Sequence, residues 1–220
     1  LGRYSLFTNT TGAENTGLGT NALRCNTTAS NNTAVGRSAL QENTTGSSNV
    51  AVGYYAGLQN TTGSCNVSLG VAANQNTSTG SDNTAIGHIA LLSNTSGHSN
   101  VAVGTNALCA NTTARDNVAL GFCALVGNTT GCRNTASGSL ALDSNTTADD
   151  NTATGYKALY ANTTGCENTA VGKDTAVATT TGKENVVVGR NAGNILTTGC
   201  RNIVIGNNSQ NPSGGTSYWS

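Results

Sequence analysis

The stretch Asn32-Thr33-Ala34-Val35-Gly36-Arg37-Ser38-Ala39-Leu40-Gln41-Glu42-Asn43-Thr44-Thr45-Gly46 decides the fold, because almost all of the chain is a copy of it. Its first asparagine recurs every 17 residues, at Asn15, Asn32, Asn49, Asn66, Asn83, Asn100, Asn117, Asn134, Asn151, Asn168, Asn185 and Asn202. Four residues after each stands a glycine, from Gly19 to Gly206. An ungapped period of this kind is the mark of a stacked-repeat solenoid, in which one unit is one coil and cannot bury its apolar face alone. The expected architecture is all-β: a parallel β-solenoid, β-roll or β-helix, of about twelve 17-residue coils.

Each unit is numbered here from its invariant asparagine, position 1, to position 17. Position 4 is mostly aliphatic, position 8 is alanine in ten of the twelve units, and position 9 is usually leucine. Two short apolar patches separated by glycine and polar turns suit short β-strands, since no 3.6-residue periodicity extends beyond a turn. The interior is expected to be thin and filled by alanine and valine. Stacked at about 4.8 Å per coil, the rod would be about 60 Å long.

The 220 residues carry 9% charged and 4% aromatic side chains, 28 glycines and a formal net charge of zero. No composition break divides residues 1–206, which read as one solenoid domain, with 207–220 as a C-terminal tail or cap in which Trp219 could cover the last coil. With a formal net charge of zero no nucleic-acid partner is expected, and no run approaches the roughly 18 apolar residues of a membrane span, so no membrane insertion either. The chain starts inside a unit: Leu1-Gly2 aligns with the Val-Gly step and Asn9-Thr10-Thr11-Gly12 with the Asn-Thr-Thr-Gly step, which points to processing or a longer parent.

The position-1 asparagines read as a structural ladder, hydrogen-bonding to one another and to backbone groups that a corner would leave unpaired. The glycines at position 5 read as sites of positive φ or close backbone approach. The second asparagine column reads differently. Asn9, Asn26, Asn43, Asn60, Asn94, Asn111, Asn128, Asn145 and Asn162 form Asn-x-Ser/Thr acceptors, as does Asn76 one place early. They are candidates for N-glycosylation in an exposed row, with Asn31, Asn66 and Asn207 as further acceptors, so covalent glycans are possible though no cofactor is expected. Asn-Thr-Thr-Gly is equally good turn chemistry.

Seven cysteines are an odd set for an extracellular chain. Cys132, Cys166 and Cys200 share a column two coils apart, about 10 Å, beyond the ~7 Å reach of a disulfide. His88 and His98 fall in different columns, and neither pairs with a nucleophile motif. Asp82, Asp116 and Asp150 repeat on alternate coils, too far apart for one calcium ion. No catalytic, cofactor or metal site is expected, and the chain does not read as an enzyme.

The units Asn-Thr-Ala-Val-Gly-x-x-Ala-Leu and Asn-Thr-Thr-Gly resemble the head repeats of trimeric autotransporter adhesins. They resemble still more the 17-residue repeats of phage tail-fibre and related surface-fibre proteins. The resemblance covers residues 1 to about 206 and implies a left-handed parallel β-roll or similar solenoid, often trimeric, serving as an extracellular stalk or adhesive head. The chain departs from these families in showing no membrane anchor, coiled-coil stalk or C-terminal chaperone domain.

Three functions follow as expectations. The first is a non-enzymatic extracellular or cell- or virion-surface protein that self-associates into a head-to-tail filament, or as a trimer, favoured by the β-prone last coils Val186-Val187-Val188 and Ile203-Val204-Ile205. The second is an adhesin or tail-fibre shaft that binds a cell-surface ligand. The third is an ice-binding solenoid, suggested by threonine rows such as Thr44-Thr45.

Overall fold

A computed structural model describes residues 2–210; Leu1 and residues 211–220, with Pro212, Tyr218 and Trp219, lie outside the described residues. Twelve three-residue strands form one sheet: β1 (Thr16–Leu18), β2 (Thr33–Val35), β3 (Val50–Val52), β4 (Val67–Leu69), β5 (Thr84–Ile86), β6 (Val101–Val103), β7 (Val118–Leu120), β8 (Thr135–Ser137), β9 (Thr152–Thr154), β10 (Thr169–Val171), β11 (Val186–Val188) and β12 (Ile203–Ile205). All pairings are parallel and follow chain order. Each residue pairs with its repeat equivalent, as Thr33 with Val50 and Ala34 with Ala51. The expected parallel solenoid is therefore what the chain forms.

Only one of the two apolar patches is a strand. Positions 2 and 4, mostly valine, isoleucine or threonine, supply β-branched residues around a small central one. Side chains alternate across a strand, so the central position 3 points inward: Ala34, Ala51, Ala85 and Ala102 are fully buried. The Ala-Leu patch at positions 8 and 9 lies instead in two tight turns. In the second unit these are closed by Ala39 N–H to Gly36 C=O (3.4 Å) and Asn43 N–H to Leu40 C=O (3.2 Å). Between coils the backbone goes on pairing through these turns, as Leu40 N–H to Ala56 C=O (3.0 Å) and Ser38 N–H to Thr20 C=O (2.8 Å).

The bends depend on a backbone conformation that the sequence signals only faintly. Positions 7, 9 and 17 are left-handed in every complete coil, for example Ser38 (φ 58°), Leu40 (φ 48°) and Ser48 (φ 61°). An L-residue held there costs about 1 kcal/mol or more, and leucine lacks the local hydrogen bond that makes asparagine or aspartate tolerant of it. Burial of the leucine and the hydrogen bonds between coils hold it in place. The signal was present in the exceptions: where position 9 is not leucine it is Gly57 (φ 58°), Gly193 (φ 58°), Asn74 or Ala176.

The core is alanine and leucine rather than alanine and valine. Position 8 (Ala39, Ala56, Ala90, Ala107) and position 9 (Leu40, Leu91, Leu108, Leu125) are buried to 1% exposure or less. The core divides into a cluster from Ala22 to Ala56 and a longer one from Ala73 to Val204. The break falls where Gly57 and Asn74 replace leucine and Ser68 replaces the inward alanine, removing apolar volume from successive coils.

The position-5 glycine has a φ that L side chains rarely adopt, +135° at Gly104, and a Cβ there would lie 2.5 Å from the Gly121 carbonyl oxygen. Gly104→Ala is expected to cost about 3 kcal/mol or more, and exposed Thr105→Ser next to it about 0.5 or less. Urea unfolding followed by far-UV circular dichroism would check both.

Candidate functional site

Both asparagine columns are interior. At position 1 the side-chain carbonyl of Asn83 accepts from the backbone N–H (3.1 Å) and the Nδ2 (3.1 Å) of Asn100 one coil on. The Asn100 Nδ2 also donates to the Ala114 carbonyl (2.9 Å), across the corner of its own coil. The N–H to Oδ1 link repeats from Asn32, whose Nδ2 reaches Gly46 C=O (3.0 Å) and whose Oδ1 receives Asn49 N–H (2.9 Å), to Asn202, while at Asn151 and Asn202 the Nδ2 turns to Asp149 C=O (3.1 Å) and Cys200 C=O (3.2 Å). Each amide thus satisfies corner groups that burial would leave unpaired.

The second column is a parallel ladder at position 12, and this corrects the expectation of an exposed sugar row. Asn26, Asn43, Asn60, Asn94, Asn111, Asn128, Asn145 and Asn162 are exposed by 1% or less. The Nδ2 of Asn43 donates to both Asn26 Oδ1 (2.9 Å) and Gly46 C=O (2.9 Å), so both its hydrogens are used. A glycan is attached through that nitrogen, and no space surrounds it. Asn9 on the first coil and the offset Asn76 are half-buried, Asn66 is buried in the first ladder, and Asn31 and Asn207 are exposed.

The ladder also shows where it stops. Thr77, Thr179 and Leu196 replace asparagine at position 12; the Thr77 hydroxyl turns to Asn74 Oδ1 and the Thr179 hydroxyl to Leu196 C=O (2.9 Å). The preceding members, Asn60 and Asn162, are left with Oδ1 atoms that are buried and without a hydrogen-bond partner. Next to the ladder, the position-13 threonines direct their hydroxyls into the next coil, as Thr44 Oγ1 to Thr61 C=O (2.9 Å). Of the Thr-Thr rows considered for ice, only position 14 (Thr45, Thr62) therefore faces solvent with its hydroxyl uncommitted to the neighbouring coil.

The surface the sequence reading did not single out is the outer face of the sheet. Positions 2 and 4 point away from the core, so the aliphatic column expected to line the interior lies outside. Leu18 (51% exposed), Val50 (40%), Leu69 (44%), Val186 (40%) and Ile203 (49%) all face solvent. Across the twelve strands, sixteen of these outward positions are aliphatic, eight carry a hydroxyl and none is charged. The legible signal was the Thr/Val-Ala-Val pattern itself, whose small central residue marks the inward side.

Charged and aromatic side chains gather on the corners. Arg133 Nε pairs with Asp150 (2.7 Å) and Arg201 Nε with Glu184 (2.7 Å), both pairs bridging adjacent coils at position 17. The arginine hydrogen bond holds each carboxylate below its ordinary pKa. Tyr54 stacks on Tyr55 with centroids 3.9 Å apart, and Lys157 Nζ lies 5.2 Å from the centroid of Tyr160. An open recess of about 420 Å³ on the outside of this corner is lined by Tyr4, Phe7, Asn21 and Arg24.

All seven cysteines are free thiols, and Cys132, Cys166 and Cys200 each direct Sγ to the carbonyl two residues earlier (3.4, 3.5 and 3.5 Å). Burial, then the neighbouring Cys123, raises the Cys109 thiol pKa. Among the described residues no three His, Cys, Asp or Glu side chains converge as metal ligands, and no helix is long and apolar enough to cross a membrane. Compared with protein-family models, curated proteins and solved structures, the chain matches none.

Removing one buried amide leaves several partners unsatisfied. Asn111→Ala is expected to cost about 2–3 kcal/mol and exposed Asn207→Ala about 0.5 or less, read by thermal or urea unfolding. Peptide mass spectrometry of the native protein is expected to find Asn43, Asn60 and Asn111 unmodified.

Proposed function

We propose that this chain is a non-enzymatic shaft module of an extracellular fibre, a stiff rod that associates with further copies of itself. The observation that carries this reading is the outer sheet face, uncharged and mostly aliphatic over all twelve strands. All-parallel sheets occur almost only with both faces covered, and a contiguous exposed apolar strip marks an interaction surface. The core side of this sheet is covered by its own coils, and a second rod covers the other. Stacking of coil on coil in constant register is also a geometry that end-to-end addition of rods would continue. A sugar coat is not part of the proposal, since the acceptor amides are engaged inside the rod.

A second reading, an adhesin or tail-fibre shaft, is favoured by the recess at Tyr4, Phe7, Asn21 and Arg24, which combines two exposed rings with hydrogen-bond donors. It predicts discrete oligomers in place of filaments.

Sedimentation equilibrium and negative-stain microscopy of the native protein separate these outcomes. The wild-type chain is expected to form oligomers or filaments at micromolar concentration. Val101→Lys with Val118→Lys, on adjacent strands of the outer face, should yield monomers with an unchanged circular dichroism spectrum. A wild-type chain that stays monomeric at 100 µM would sink the proposal.

A further inference from the structure

Although its net charge is zero, the rod is polar across its width. Positions 17 and 6 flank the outer sheet face, two residues before position 2 and two after position 4, just beyond the ends of each strand. Position 17 carries Glu14, Asp82, Asp116, Asp150, Glu167 and Glu184 against Arg133 and Arg201, a net charge of −4. Position 6 carries Arg3, Arg37, Lys173 and Arg190 with no acid, a net charge of +4. Nearly all of these side chains are exposed, with Glu184 half-buried beside Arg201. One apolar strip thus has an acidic rim on one side and a basic rim on the other, the anatomy of an interface with an apolar centre and a polar border.

We propose that the occupant of this face is a second copy of the chain lying parallel and in register, with the acidic rim of each copy against the basic rim of the other. The proposal rests on the self-association reading above and adds its orientation. A half-turn about an axis along the rod brings the position-17 residue before each strand opposite the position-6 residue after the equivalent strand, one unit on in sequence, in the second copy. Glu167 then meets Lys173 and Glu184 meets Arg190, each twice by symmetry, and no coil sets like charges opposite one another. A half-turn about an axis along the strands makes the rods antiparallel and puts acidic rim on acidic rim and basic on basic, which like-charge repulsion disfavours. The strip together with its rims, roughly 50 Å long at the strand spacing and ~15 Å wide, offers about 750 Å², close to the ~800 Å² per partner of a standard stable interface.

The test is sedimentation equilibrium of the full chain at low salt. Lys173→Glu with Arg190→Glu is expected to weaken self-association about tenfold, equivalent to about 1.4 kcal/mol spread over four exposed pairs. Adding Glu167→Lys and Glu184→Lys to the same chain swaps both rims and should restore affinity to within about threefold. Tighter association of the first variant would show antiparallel rods, and no change would show that the rims do not touch; either overturns the proposal. The wild-type chain gives an independent reading: raising salt from 50 to 500 mM should weaken parallel association, and a strengthening overturns it. A monomeric wild type refutes the face itself, whereas an oligomer indifferent to rim charge and salt refutes only the orientation.

Discussion

The buried amide of a position-1 asparagine connects three segments of chain at one corner, two through backbone groups and one through the preceding asparagine's side chain. Asn100 accepts from the backbone N–H of Asn117, donates to Ala114 C=O in its own coil, and donates back to Asn83 in the coil before. A corner in so thin a rod buries backbone groups that no strand partner reaches, and each group left unpaired would cost about 1–3 kcal/mol. The amide has a donor and an acceptor on one short planar group, so identical asparagines stacked 17 residues apart satisfy each other without a change of geometry. The constant period follows from this: a residue inserted into one coil would have to bulge out of it to keep the amides on either side in register.

The same constraint accounts for the composition. With corners pinned by asparagine and bends made by left-handed residues, the interior has room for alanine at positions 3 and 8 and one leucine at position 9. Where the ladder changes, the neighbours record it. Thr77 and Thr179 interrupt the position-12 amides and leave Asn60 and Asn162 Oδ1 unpaired, while Gly57, Ser68 and Asn74 divide the apolar core in two. The hydroxyls of position 13 add a further line of bonds between coils, and the position-14 threonines beside them face solvent.

What remains outward is arranged by the strand. Alternation puts alanine in and valine or threonine out, and the flanking positions distribute the charges into two rims of opposite sign. A net charge of zero therefore conceals a transverse polarity, which bulk composition cannot express but a surface lying across the strands presents directly. Long-range interactions of this kind set the orientation of association more than its strength.

The repeat by itself determined the coil, its period, its parallel stacking, the role of the position-1 asparagines and the need for glycine at position 5. All of these follow from identity at a fixed spacing, because equivalent residues must then occupy equivalent places. The tertiary structure decided what depends on direction. It turned Asn43 and its equivalents inward although Asn-Thr-Thr is also an acceptor triplet, since a triplet specifies residues and not the side of the coil they face. It made the Ala-Leu patch a pair of turns, because Leu40 is held left-handed by burial and by hydrogen bonds from neighbouring coils that no local propensity encodes. It also placed the aliphatic position 4 outside: with a strand of three residues, one central alanine fills the core side and leaves its two neighbours to the surface.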